Sequence, residues 1–372
     1  MLKAADSDNN NPQGTSLLAP MKHTAIVLAN GRYMTPNAKT AHGLVRGSDR
    51  FKVLAVVEPV LAGQDAGEAL DGMHRNIPIV ASIDDALAVA GGTPDFSIVG
   101  IATHGGRLTQ ELRSLILEAV NKGMSIANGL HDAASDDAEI ARAAREKNVE
   151  LIDLRKPKPK HELHFWQGDI YSVRAPRVAV LGTDCAVGKR TTTRLLVEAL
   201  NAEGIRAEMI YTGQTGWMQG ARYGFVLDSV VNDYVSGELE HAIVSCDREV
   251  GPDVMILEGQ AALRNPSGPC GAEFLLSADA KGVILQHGAG REFFEGYEKQ
   301  GYRIPSLQSE VELIAFYGAK VLAVTLNNKS ATRETLDRYQ QEYREQLGVP
   351  VVRILEEGAS GLVPVVRQFI QD

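Results

Sequence analysis

The stretch Val178–Thr192, which reads VAVLGTDCAVGKRTT, constrains the fold of this chain more than any other feature. A short apolar run stops at Gly182, a loop follows, and Gly188-Lys189 opens a segment with helical spacing of apolar residues. This order builds a cradle for phosphate, because the loop amides and the helix N-terminus point at the anion and the lysine adds positive charge. The stretch therefore predicts an α/β unit with a phosphate site beyond the end of its strand.

The loop departs from the common phosphate-loop pattern in two ways. Five residues separate its glycines, which is one more than usual, and Arg190 stands after the lysine where a hydroxyl normally holds Mg2+. Thr191 is a poor replacement, because the next residue of a helix lies about 100° further round the axis. Mg2+ is therefore possible but disfavoured, and we predict no metal site in this loop. We expect phosphate contacts from this set: Gly182, Thr183, Asp184 (or a turn cap), Gly188, Lys189, Arg190 and Thr191.

Composition narrows the class of protein and of partner. A chain of 372 residues is long for one core and favours two domains. The net charge of −9 argues against nucleic acid or an anionic membrane as the main partner, but it allows a small anionic ligand. Three scattered cysteines fit a reducing cytoplasm. No apolar run approaches the roughly 20 residues of a membrane span, and the polar start lacks a signal-peptide core.

Short apolar strands alternate with helical segments throughout, which is typical of α/β domains with parallel sheets. We predict a disordered tail at residues 1–20, a Rossmann-like domain at 21–154, a linker at 155–174 and a P-loop domain at 175–372. The alternating Pro and Lys of Arg155–His161 predict that the linker is stiff and solvated. The predicted strands are Thr24–Ala29, Val53–Val57, Ile79–Val80, Phe96–Ala102, Ser125–Ala127, Leu151–Leu154, the Val178 strand, Ala207–Tyr211, Val254–Leu257, Val283–Gln286, Val321–Leu326 and Val351–Leu355. The predicted helices are Leu108–Val120, Asp136–Lys147, Thr191–Ala202, Ser309–Phe316, Ala331–Gln346 and Val363–Ile370.

Polar residues follow two other predicted strands of the second half. Glu258 ends the strand of Val254–Leu257, and ligands in open α/β sheets bind beyond the carboxyl ends of strands. It is a candidate metal ligand, general base or amine anchor, or else a turn cap. His287 is a second candidate for proton transfer, and Arg291 a candidate for a two-pronged carboxylate contact, although both also fit purely structural roles.

Three glycine- or lysine-bearing turns complete the candidates. The loop Tyr211–Trp217 predicts substrate contacts by Gln214 and Thr215, unless it is a tight turn around a packed Trp. In the first half, Asn37–Thr40 and Gly100–Arg107 follow strands and fit either ligand contact or turn geometry.

Two family resemblances rest on these motifs. The loop GTDCAVGK of Gly182–Lys189 and the pair Glu258-Gly259 resemble the corresponding pieces of dethiobiotin synthetases. Over nearly the whole chain, the order TPNAKTAHGLVR, GTDCAVGKRTTT, TGQTGW and LEGQ resembles a family of P-loop proteins with a domain of unknown function, which includes D-glutamate N-acetyltransferase. This family places a Rossmann-like domain before the P-loop domain.

The second resemblance implies acetyl transfer from acetyl-CoA, as co-substrate, to the amine of D-glutamate. The loop would then grip CoA phosphates, with Glu258 as first-choice base and His287 as second. Lys189 or amides of residues 213–216 would stabilise the oxyanion, and Arg291 or Arg222 would hold the substrate carboxylates. The expected partners are an amino acid and an acyl donor, and a homo-oligomer is the base-rate expectation.

Two other functions stay open at this point. One is an ATP-dependent ligase or kinase like dethiobiotin synthetase, against which Arg190 argues. The other is a non-catalytic module that senses a nucleotide or CoA.

Overall fold

The computed structural model describes residues 22–328 and 331–372, so the predicted tail at 1–20 lies outside the described residues. The chain divides into two compact units. The first holds the described residues up to Lys158 together with Gln214–Ala221, and the second holds Pro159–Gly213 and Arg222–Asp372. None of the described helices is long and apolar enough to cross a membrane.

The first unit is built on a parallel sheet with strand order β3-β2-β1-β4-β5-β6. This order confirms the Rossmann-like prediction, because the chain reverses direction of growth between β1 and β4. The strands are β1 His23–Leu28, β2 Phe51–Val57, β3 Ile79–Val80, β4 Phe96–Val99, β5 Ser125–Asn128 and β6 Leu151–Asp153, and the helices are α1 Lys39–Arg46, α2 Ala66–Asp71, α3 Ile83–Ala90, α4 Gln110–Asn121 and α5 Ala138–Lys147.

The second unit is built on a parallel sheet of order β13-β12-β11-β7-β10-β8-β9. Its strands are β7 Arg177–Gly182, β8 Ala207–Tyr211, β9 Tyr223–Gly224, β10 Val254–Glu258, β11 Gly282–Gly288, β12 Lys320–Asn327 and β13 Val351–Arg353. Its helices are α6 Lys189–Ala202, α8 Asn232–Glu249, α9 Ala272–Leu276, α10 Leu307–Phe316, α11 Arg333–Leu347, α12 Ile354–Glu357 and α13 Val363–Gln371, while α7 Gln214–Met218 belongs to the first unit.

The central strand β7 carries the phosphate loop and is buried on both faces. Ala179 and Leu181 join the apolar cluster on one face of the sheet, and Val178 and Val180 join the cluster on the other. This explains why the strand reads as a continuous apolar run rather than an alternating one. All the strands around it are parallel, so their carboxyl ends meet along the edge where the loop begins.

Most helix boundaries differ from the predictions only at their caps. For example, Ser306 caps α10 and Thr332 caps α11, so each helix is displaced by up to two residues from its predicted start. The end of the predicted strand Val351–Leu355 is wrong, because the chain turns into α12 after Arg353.

The second part of the predicted linker is anchored, and together with Ala175 we call it the strap (residues 164–175). Side chains of the long helix α8 accept hydrogen bonds from its backbone: Glu238 from the His164 amide at 2.9 Å, and Glu240 from the Gln167 amide at 2.6 Å. Asp247, near the C-terminal end of the same helix, accepts a hydrogen bond from the Ala175 amide at 3.2 Å. The strap is therefore exposed for much of its length, but it is held by buried carboxylates rather than being an unattached spacer.

Candidate active site

The phosphate loop follows β7 as the sequence predicts. Its last residue, Gly188, has φ of +107°, a conformation that favours glycine, and α6 begins directly after it at Lys189. The Lys189 Nζ folds back and donates to the carbonyl of Asp184 at 2.8 Å and to that of Ala261 at 2.6 Å. The ammonium group is thus held at the mouth of the loop by backbone oxygens, which a phosphate oxygen can replace.

The carboxylate of Asp184 is taken up by contacts inside the protein, which fits the alternative role of a turn cap. Its carboxylate is fully buried and accepts hydrogen bonds from the amides of Cys185 at 2.6 Å and Glu295 at 2.8 Å. The Asn265 side chain at 2.9 Å and the Arg291 guanidinium at 2.6 Å complete its contacts. Asp184 therefore fixes the base of the loop to two neighbouring segments.

Arg291 is committed to the same network, so its predicted contact with a substrate carboxylate is not supported. One guanidinium nitrogen binds Asp184 and the Cys185 carbonyl, and the other lies 2.6 Å from Glu295. The side chain is largely buried in this arrangement. Two carboxylates already occupy the planar guanidinium that a substrate would need.

Glu258 stands at the end of β10, beside β7, as predicted. Its carboxylate is buried and accepts hydrogen bonds from the backbone amides of Thr212, at 3.1 Å, and Gly213. Burial raises the pKa of the Glu258 carboxyl, and the positive charges of Arg190 and Lys189 partly oppose this effect. A buried carboxylate with a raised pKa, close to the phosphate loop, suits a general base.

His287, the second candidate base, supports the loop from β11. Its Nδ1 lies 2.9 Å from the hydroxyl of Thr183, and its Nε2 lies 3.4 Å from the hydroxyl of Tyr343. Burial, helped by the charge of Arg291, lowers the pKa of His287 to about 4. The imidazole is therefore neutral at neutral pH, and it lies within hydrogen-bond distance of the Thr183 hydroxyl.

The first turn of α6 carries Arg190 and Thr191. The positive charge of Arg190 acts to lower the pKa of the Glu258 carboxyl, against the effect of burial. Thr191 is half-buried, and the hydroxyls after it serve the protein itself. Thr193 donates to the Lys189 carbonyl at 2.9 Å, and Thr192 donates to the side chain of Gln286.

Within the second unit, the contacts described here do not bring three predicted substrate-binding residues to the phosphate loop: Gln214, Thr215 and Arg222. Gln214 and Thr215 belong to the first unit, where the buried hydroxyl of Thr215 lies 3.0 Å from that of Thr40. Arg222 precedes β9, lies over the ring of Tyr223 at 5.2 Å and pairs loosely with Glu249 at 4.0 Å. Thr215 and Arg222 thus have partners inside the protein, and their contacts with a substrate stay predictions.

The two ligand-like turns of the first unit bind each other. The Ala41 amide donates to the Gly100 carbonyl at 2.9 Å, and the Ala102 amide donates to the Asn37 carbonyl at 2.8 Å. These bonds join the start of α1 to the end of β4 at the point where strand order reverses. These two bonds fit the alternative of turn geometry for both segments.

Four residues of the site were missed from the sequence. Thr212 binds Glu258 through its backbone, and Asn265 binds Asp184 from a loop after β10. Gln286 and Tyr343 support the loop and His287 respectively. Thr212 lies within the loop Tyr211–Trp217 that the sequence singled out, and Gln286 carried a signal of its own, because a polar residue inside a buried strand next to a phosphate loop needs partners.

Comparisons with known proteins agree with this architecture. Residues 164–363 match the model of a P-loop domain described as a domain of unknown function, DUF1611_C, and residues 59–157 match its Rossmann-like companion, DUF1611_N. A crystal structure of a DUF1611 family protein from Anabaena variabilis is similar at a TM-score of 0.84 and 25% identity, covering 93% of this chain and 100% of that chain.

Two curated proteins named D-glutamate N-acetyltransferase are also similar in sequence. The protein from Pseudoalteromonas sp. is 27% identical over 72% of this chain and 79% of its own length. The protein from Tritonibacter scottomollicae is 26% identical over 79% of this chain and 87% of its own length. With its Rossmann-like domain, its P-loop domain and the order of the two, this chain belongs to the DUF1611 family.

Proposed function

We propose that this protein is an N-acetyltransferase that moves the acetyl group of acetyl-CoA to the amine of D-glutamate. The observation that carries the proposal is the buried Glu258, whose raised pKa suits a base, beside the phosphate loop of Lys189. The names of the two curated relatives support the reaction and the acceptor.

The loop suits the phosphates of the acyl donor. CoA carries a pyrophosphate and a 3′-phosphate, which the loop amides and Lys189 would bind at the N-terminus of α6. Arg190 adds a permanent positive charge where a metal-binding hydroxyl is usual, and acyl transfer needs no metal to activate a phosphate. We therefore expect CoA binding to persist when Mg2+ is removed with EDTA.

The reaction needs one proton to be removed before the amine can attack. In the proposed step, Glu258 takes a proton from the substrate ammonium, and the freed nitrogen attacks the thioester carbonyl. The C–N bond forms, the C–S bond breaks, and CoA leaves as a thiolate. As the intermediate collapses, its second amine proton passes to the departing thiolate and Glu258 returns the first proton to solvent, so that the products are N-acetyl-D-glutamate and CoA.

Lys189 is the better candidate for stabilising the oxyanion of the tetrahedral intermediate. The amides of Thr212 and Gly213 already bind the Glu258 carboxylate, which removes these donors from the oxyanion. The Lys189 ammonium donates to the neutral carbonyls of Asp184 and Ala261, which the oxyanion of the intermediate would replace as a charged acceptor.

Acetyl transfer is tested by incubating the protein with acetyl-CoA and D-glutamate and measuring free CoA thiol and the N-acetylated product by mass spectrometry. L-glutamate tests stereochemistry, and MgATP with ADP detection tests the ligase or kinase alternative. We expect Glu258→Gln to lower kcat by at least about 100-fold, the usual contribution of a general base, while CoA still binds.

Glu240→Gln is the matched control, because Glu240 is equally buried but binds the strap. This variant should lose stability and keep its kcat. Absence of CoA release with D-glutamate or any other amino acid would refute the transferase proposal, and equal kcat in wild type and Glu258→Gln would refute the role of Glu258.

A further inference from the structure

Gln286 is a polar side chain in the middle of the buried sheet. It lies in β11, opposite Gly182 of β7 on one side and Thr325 of β12 on the other, and it is completely buried. Its position is therefore directly behind the point where β7 becomes the phosphate loop.

The oxygen of the Gln286 side-chain amide has its hydrogen-bonding capacity satisfied. Its Oε1 accepts hydrogen bonds from the hydroxyl of Thr192, in the first turn of α6, and from that of Thr325 at 2.6 Å. The backbone carbonyl of Gln286 also accepts from the Thr183 amide at 3.0 Å. These contacts fix the side chain between the first residue of the loop and the helix that follows it.

The other half of the amide is unsatisfied. Within residues 22–328 and 331–372, the buried Nε2 of Gln286 has no hydrogen-bond partner. It faces the turn at Gly188, since a methyl group on that glycine would lie 3.9 Å from Nε2. The neighbouring amide of Asn327 reaches the same turn and does find an acceptor, the Val187 carbonyl at 2.9 Å.

Buried donors in native proteins are rarely left unmet, so this one calls for a specific reason. The loop also carries local backbone strain, because Ala186 has φ of +54°, which is unfavourable for a residue with a side chain. Lys189 meanwhile binds carbonyl oxygens that a phosphate would replace. The carbonyl of Val187 accepts from Asn327 and that of Gly188 from the Thr192 amide, but each oxygen has a second lone pair with which it would accept from Nε2 if the turn moved.

We propose that Gln286 is a positioning residue of the phosphate loop, whose Nε2 donates to a carbonyl of the Val187–Gly188 turn when a phosphate is bound. The hydrogen bond forms in the loaded loop and not in the empty one, so it stabilises binding. This inference rests on the proposed function only in taking the phosphates of CoA as the ligand.

The test compares Gln286→Met, which keeps the volume and removes both the donor and the acceptor of the amide, with Gln340→Met. Gln340 is a buried glutamine of α11 whose Nε2 is satisfied by the Val351 carbonyl at 2.8 Å. Dissociation constants for CoA and for inorganic pyrophosphate are measured by calorimetry, alongside the melting temperature without ligand. We expect Gln286→Met to weaken binding of both probes about tenfold, the effect of one ordinary hydrogen bond, and Gln340→Met to leave binding unchanged despite a lower melting temperature.

Gln286→Glu provides a second variant if the methionine variant does not fold. Its carboxyl places an acceptor against the turn, and its charge should weaken pyrophosphate binding more as pH rises through the pKa of this buried group. Wild-type affinity in Gln286→Met, or in Gln286→Glu at every pH, would overturn the inference, and so would wild-type protein that binds neither probe. Wild-type protein that binds pyrophosphate but not CoA would refute the proposed function alone, and the variants would still test Gln286.

Discussion

At the scale of single residues, His287 makes stability depend on pH. An unfolded histidine titrates near pH 6.5, whereas burial lowers the pKa of His287 to about 4 in the folded protein. Between these values the unfolded chain binds more protons, so the free energy of unfolding falls as pH falls, by up to about 3 kcal/mol. We expect His287→Asn to flatten this slope in urea unfolding measured at a series of pH values.

His161 offers the control for this pH dependence. Its side chain is 81% exposed, so His161→Asn should leave the slope as it is in the wild type. Carboxylates also titrate towards the lower end of this range, but they are common to all three proteins, and only the difference between curves matters. Equal slopes for wild type and His287→Asn would show that His287 is not buried in its neutral form.

Some residues of the site have roles that follow from their place on the backbone, and others have roles that depend on how their side chains pack. The positions of Lys189 and Glu258 were predictable, since both follow directly from a strand, a loop and the common edge of a parallel sheet. The roles of Asp184 and Arg291 were not, because these two side chains satisfy each other across 107 residues of sequence. The spacing of residues in the sequence predicts that a charged side chain lies near the edge of the sheet. Which partner that side chain binds is determined only by side-chain packing.

At the scale of elements, the strands were easier to predict than α8. Apolar runs such as those of β7 and β10 belong to buried parallel strands, and the structure confirms them. The longest helix, α8, lacks a clear apolar stripe because Glu238, Glu240 and Asp247 are buried beside its apolar residues. Those carboxylates bind the strap. The buried charges that obscure the apolar stripe of α8 in the sequence are thus the groups that make a tertiary contact.

The strap depends on one close approach to this helix. A side chain on Gly237 would overlap the carbonyl oxygen of His164, so the helix and the strap can meet only at a glycine. We expect Gly237→Ala to lower the free energy of unfolding of the second unit by about 1–3 kcal/mol, the usual cost of overpacking. Gly268→Ala is the control, because a methyl group there meets no atom within 4 Å. Equal urea midpoints for the two variants would contradict a strap that is packed on α8.

At the scale of the whole molecule, each unit holds one of the two tryptophans. Trp217 is buried in the first unit, where the guanidinium of Arg50 lies 4.1 Å from its ring. Trp166 lies in the strap of the second unit and donates to the Ser277 carbonyl at 3.0 Å. Single-tryptophan variants can therefore follow the unfolding of each unit by fluorescence.

The phosphate loop lies wholly in the second unit, so its ligand should stabilise that unit first. At CoA concentrations of about 100 times the dissociation constant, binding adds roughly 2.7 kcal/mol to the state that binds. We expect CoA to raise the urea midpoint of Trp217→Phe, which reports through Trp166, and to leave the midpoint of Trp166→Phe nearly unchanged. Equal shifts in both variants would mean that the chain unfolds as one cooperative body. The two compact units would then not unfold independently of each other.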